Sequence, residues 1–170
     1  MRIIVGGVGL WLAAGVTFAA EPTTAGPAVA VGTCGSADTL FACPVKGGKE
    51  IRVCGATGDP IWIGYTFGKP GAPELSFPKQ REGSVPLFLH TTRTLAQATG
   101  DVLSFENGGV TYEVTEMMGA GGGADAESNN FAGVYVTQGG KLLAKVACTA
   151  PPTSNWTRVG DIMAAGMFTP

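Results

Sequence analysis

The sequence has four cysteines, Cys34, Cys43, Cys54 and Cys148, and their side chains admit three chemistries: disulfide formation, metal ligation and thiol exchange. Structural zinc wants close pairs such as C-x-x-C, usually with histidines. No such pair occurs and His90 is the only histidine, so zinc and thioredoxin-type exchange both lack their motif. An even cysteine count in an exported chain favours two disulfides. Spacing alone leaves three connectivities open. Residues 40–43 and 51–54 flank the glycine turn Lys46-Gly47-Gly48-Lys49. A four-residue connection over 47–50 would set Cys43 opposite Cys54, whereas a two-residue turn on Gly47-Gly48 would pair Cys43 with Arg52. The preferred pairing is Cys43 with Cys54, which leaves Cys34 with Cys148 to tie the start of the domain to its last strands.

His90 is also the only side chain whose reference pKa lies near neutrality. A general base needs a nucleophile or an orienting carboxylate, yet there is no G-x-S-x-G elbow, and Ser84 and Ser104 stand in no motif. The expectation is a structural histidine near a strand end. Carboxylates Asp59, Glu74, Glu82, Asp101, Glu106, Glu113 and Glu116 could meet in space as a glycosidase pair, but their spacing in sequence does not place them so. The glycines at 119–123 lack the G-K-[ST] of a phosphate loop and the following helix of a dinucleotide fingerprint. Asp125, Glu127, Asn129 and Asn130 miss the spacing of a calcium loop. Residues 119–130 therefore read as a solvent-exposed loop whose tip, with Asp125, Asn129 and Asn130, is a candidate partner contact. Trp62 and Tyr65 join that candidate set as aromatic anchors, should they share an exposed face. Asn155-Trp156-Thr157 matches a glycosylation pattern by chance. No cofactor is expected.

These residues must be positioned by elements in a chain built for export. Arg2 precedes an uncharged apolar run over 3–18, and Thr17-Phe18-Ala19 presents small residues to a signal peptidase. Residues 1–19 read as a cleaved signal peptide, with no membrane anchor kept afterwards. Residues 20–33 are Pro-, Ala- and Thr-rich and read as a flexible leader. Residues 34–170 then form one domain, since about 150 mature residues suit one core and not two. A charged fraction of 14% without a basic block excludes non-specific nucleic-acid binding and a polybasic membrane helix.

The 27 glycines punctuate β-prone runs, as tight turns between strands would require. Asn107-Gly108 predicts a two-residue hairpin loop with Phe105 opposite Val110 and Leu103 opposite Tyr112. A three-residue loop at 138–140 would align Val134 with Ala144, Val136 with Leu142 and Ala132 with Val146. Helix signals are weak, confined to 91–99 and 161–167. The fold class is all-β, an antiparallel sandwich or small barrel of about 8–10 short strands.

The segment Cys43-Pro44-Val45-Lys46-Gly47-Gly48-Lys49-Glu50-Ile51-Arg52-Val53-Cys54, followed by Tyr65-Thr66-Phe67-Gly68-Lys69-Pro70-Gly71, resembles a group of small proteobacterial exported proteins. They share a C-x-x-x-x-G-K-x-(I/V)-S-(V/L)-C hairpin and a Y-x-(F/Y)-G-K-P-G turn. Arg52 stands where their serine is usual. The resemblance spans 40–148 and implies an exported β-rich domain without an assigned activity. A looser likeness, of architecture only, is to periplasmic lysozyme inhibitors; their Ser-Gly-x-x-Tyr segment is lacking here. The expected function is a periplasmic or secreted binding module without catalysis, whose partner is a periplasmic protein or a cell-envelope glycan. The alternatives are a structural envelope protein and a hydrolase using gathered Asp and Glu with His90.

Overall fold

A computed structural model describes residues 34–119 and 130–167. The expected signal peptide and leader lie outside the described residues. Among those residues the chain forms two antiparallel meanders and a late helix. The first is β1 (Thr39–Val45), β2 (Lys49–Ala56), β3 (Trp62–Lys69) and β4 (Ala72–Phe77). The second is β5 (Phe88–Thr94), β6 (Ala98–Asn107), β7 (Val110–Gly119), β8 (Phe131–Gln138) and β9 (Lys141–Ala147). After β9 the chain returns to the first sheet as β10 (Thr153–Ser154), beside β1, and ends in α1 (Trp156–Met167). The two five-stranded sheets pack face to face and stay separate. The architecture is a sandwich, and the barrel alternative falls. Alternation of buried residues is clearest in β6 and at the end of β1, whereas β3 is buried on both faces over residues 62–66. Leu40, Phe41, Ile51, Val53 and Ile63 meet Leu103, Val114 and Val134 at the centre.

Turn chemistry corrects the predicted registers. The β6–β7 loop is Gly108-Gly109, not Asn107-Gly108, and both glycines have positive φ, 62° and 76°. A type I′ pair needs that conformation twice, and glycine meets it without a Cβ penalty. Phe105 therefore opposes Tyr112, and Leu103 opposes Val114. The shift is two residues, so every side chain keeps its expected face. The β8–β9 loop is likewise two residues, Gly139-Gly140, with a bulge that sets Val136 against Ala144 and Val134 against Val146. The weak helical signal at 91–99 is instead the β5–β6 hairpin, where β-branched Thr91, Thr92 and Thr94 favour strand.

The disulfide pairing is corrected on the same ground. The bonds are Cys34–Cys54 and Cys43–Cys148. The β1–β2 connection has three residues, with Val45 opposite Lys49, so Cys43 faces Ile51 and Cys54 lies opposite Thr39. Cys43 points inward with Phe41 and Val45, and Cys54 points outward beside Trp62. Opposite faces of one sheet cannot share a bond. Cys43–Cys148 instead joins the first sheet to the chain leaving β9. There Thr149 N and Oγ1 both donate to the Pro44 carbonyl, at 2.8 and 3.1 Å.

α1 starts earlier than the sequence suggests. The Asn155 carboxamide accepts from Arg158 N at 3.1 Å, which satisfies one of the unpaired donors of the first turn. The supposed glycosylation triplet is this helix start. Val159 and Ile162 are fully buried against the sandwich. No helix among the described residues is long and apolar enough to cross a membrane.

Candidate functional site

The second sheet has two faces with different duties. Its inner face is read row by row across the strands. Phe88, Phe105 and Tyr112 form one row, followed by His90, Leu103, Val114 and Val134, then Thr92, Asp101, Glu116 and Ala132. The structure thus brings His90 together with two of the carboxylates. His90 Nε2 donates to Asp101 Oδ1 at 2.9 Å. The indole of Trp156, from α1, stacks on the imidazole with 5.8 Å between centroids and donates from Nε1 to Glu116 at 2.7 Å. Gly160 passes close to the other imidazole nitrogen, 4.0 Å from the place a Cβ would take. His90 Nε2, Asp101, Glu116 and the Trp156 indole are each committed to a neighbour, and the arrangement ties α1 to the sheet. Among the described residues no nucleophile joins it except Thr92 Oγ1, which donates to Asp101 at 3.4 Å.

The outer face of the same sheet is a better place for a ligand. One cross-strand row runs Leu89, Ser104, Glu113, Tyr135, Lys145 over all five strands. Beside it run Thr91, Val102, Thr115 and Gly133, then Arg93, Gly100, Met117 and Phe131. Tyr135 is half-buried and Phe131 buried, their rings 4.5 Å apart. Gly133 lies between them in the strand, and a Cβ there would fall 2.8 Å from the Phe131 ring. The missing side chain is what lets Phe131 lie flat on the sheet. Lys145 reaches over both rings, 4.7 and 5.8 Å from their centroids. Arg93 donates to Glu113 at 2.9 Å, bridging β5 and β7 across β6. Towards the β6–β7 turn the face dips into a shallow depression of about 290 Å³, bordered by Leu89, Ser104, Glu106 and Thr111. Val102, Thr115, Met117 and Phe131 are buried, so the face presents chiefly the row Leu89, Ser104, Glu113, Tyr135, Lys145: aromatic carbon from half-buried Tyr135, a hydroxyl, a carboxylate and a cation. That mixture suits a ligand with both apolar and hydroxylated surface.

The expected aromatic anchors lie elsewhere. Tyr65 is 2% exposed, set in the interior 5.0 Å from Phe105 and 6.3 Å from Tyr112. Burial raises its phenol well above the ordinary value, and the neighbouring Tyr112 adds to the shift. Trp62 is on the outer side of the first sheet, yet only 3% exposed. The Arg81 guanidinium covers its ring at 3.9 Å, and the Cys34–Cys54 bridge packs alongside. Neither residue can anchor a partner as placed. Asn130 is exposed, and its side chain accepts from Gly119 N at 3.2 Å. Asp125 and Asn129 lie outside the described residues. Tyr135 and Lys145 carried no separate sequence signal. The clue was positional: Phe131-x-Gly133-x-Tyr135 puts two rings and a glycine on one strand face.

Comparison with protein-family models, curated proteins and solved structures finds no match to this chain.

Proposed function

We propose that this chain is an exported binding protein, periplasmic or secreted, and that its ligand is a cell-envelope glycan held on the outer face of the β5–β9 sheet. The observation that carries this reading is the row Leu89, Ser104, Glu113, Tyr135, Lys145, in which the half-buried Tyr135 ring packs on the buried Phe131. A sugar ring has an apolar C–H face and a polar rim. Tyr135 matches the first, and Ser104, Glu113 and Lys145 match the second. Export is supported by the charged start, apolar run and small-residue site of residues 2–19, and by both disulfides.

Soluble peptidoglycan fragments titrated into the ¹⁵N-labelled, disulfide-bonded protein should move the amides of Ser104, Glu113 and Tyr135. Tyr135→Ala should weaken binding by about tenfold, as loss of an aromatic anchor does, with the melting temperature monitored in parallel. Shifts confined to other surfaces, or none at saturation, would overturn the assignment. Capture of a periplasmic protein on this face instead would move the reading to a protein partner.

A further inference from the structure

At the end of the sandwich away from that face's centre, three segments surround a second concavity. The β2–β3 loop supplies Asp59, Pro60 and Ile61, the segment before β5 supplies Glu82, Gly83 and Val85, and α1 supplies Gly166. The enclosed volume is about 820 Å³, inside the range of about 300–1,000 Å³ typical of small-molecule sites. Its wall is largely apolar: Val85 is buried, Ile61 packs on the core, and Gly166 lies against Val85 where a Cβ would collide.

The charge around this wall has one sign. Asp59 and Glu82 are exposed at the rim, and neither is ion-paired with another described residue. Among the described residues no basic side chain lines the cavity. Arg81, next to Glu82 in sequence, is turned away onto the Trp62 ring at 3.9 Å. The last turn of α1, which reaches the cavity at Gly166, contains no basic residue. The carbonyl end of a helix carries partial negative charge, and the last turn has no basic side chain of its own to offset it. Apolar wall, two carboxylates and a helix C-terminus all favour the same guest.

We propose that this cavity binds a small organic cation, an ammonium group carried on an apolar body. The ammonium sits between Asp59 and Glu82 at the rim, and the body fills the space along Ile61 and Val85. The site is separate from the glycan face and stands or falls without it.

The test uses the exported, disulfide-bonded full-length product and three probes of similar size: 2-phenylethylammonium, 2-phenylethanol and 3-phenylpropionate. The ammonium probe should shift the amides of Gly58, Ile61, Gly83 and Val85, bind tighter than the alcohol by about tenfold, and weaken with added salt. The carboxylate should not bind. Glu82→Gln and Asp59→Asn should each lower ammonium affinity several-fold without a change in melting temperature, since both residues are exposed. Equal binding of alcohol and ammonium would overturn the proposal. So would shifts elsewhere, no binding at the solubility limit, or binding that appears only in a chain ending at Met167, which would mean that the protein's own end fills the space.

Discussion

The interior of the sandwich is closed in two ways, and the contrast follows from strand length. Near the β6–β7 turn, each sheet faces strands of the other, and rings fill the gap. Phe105 stacks on Phe77 at 4.7 Å and on Tyr112 at 4.9 Å, with Tyr65 and Phe88 at 5.0 and 5.3 Å. Towards the opposite end, β6 and β7, ten residues each, meet a first sheet whose strands are eight residues or fewer. There α1 completes the cover, burying Val159 and Ile162 in the apolar core and setting Trp156 over the polar His90, Asp101 and Glu116. Apolar contact is non-directional and tolerates many rings in one place. Part-buried polar groups find directed partners, so this second end adds a few specific bonds to the apolar contact of Val159 and Ile162. The first closure should fail globally and the second locally.

The largest effect is expected at the ring end. Phe105→Ala removes the side chain touched by four others and should cost about 3–5 kcal/mol, with protection from hydrogen exchange falling together across both sheets. A loss below about 1 kcal/mol would mean that the rings repack and the end is less specific than described. At the helix end, Trp156→Phe keeps a ring over His90 and leaves Glu116 without its donor, for a cost of about 1–3 kcal/mol. Exchange should rise in α1 first while the β6–β7 hairpin stays protected. In a double-mutant cycle with Glu116→Ala, which removes the acceptor, an interaction of about 0.5 kcal/mol or more is expected. Strict additivity would remove the indole–carboxylate bond as the tie.

How much of this could be read in advance differs by feature. The sandwich class was legible because side-chain alternation and glycine turns act locally. The inward face of Leu103, Phe105, Tyr112 and Val114 survives a two-residue slip, since a pleat repeats every two residues. Bond partners are less forgiving. Whether Cys43 meets Cys54 depends on one residue of loop length, and a three-residue connection sends the two to opposite faces. α1 was half hidden because Thr157 and Gly160 dilute its helical signal, while Asn155 could be read equally as cap or as glycosylation site. The outer face was missed because Trp62 and Tyr65 resemble surface anchors in a list of aromatics. Their burial comes from Arg81, the Cys34–Cys54 bridge and the facing sheet, all distant in sequence.

Tyr65 gives the gentlest way to sharpen the contrast, because it titrates only one of the two ends. Its phenol sits among Phe105 and Tyr112, and burial holds its folded-state pKa well above the unfolded value near 10. Below about pH 10 the group is protonated in both states and pH does not act through it. Above that, the unfolded chain releases a proton that the folded chain keeps, so folding stability must fall as pH rises. About half a unit above the unfolded pKa the loss is just under ~1 kcal/mol, growing by about 1.4 kcal/mol per further unit until the folded form also ionises. In chemical denaturation across that range the wild type should therefore lose stability relative to Tyr65→Phe as pH rises, because the phenylalanine variant has no such proton to lose. Parallel pH slopes in the two proteins would mean that the ring end opens to solvent without unfolding. The rings would then close the interior no more globally than α1 does.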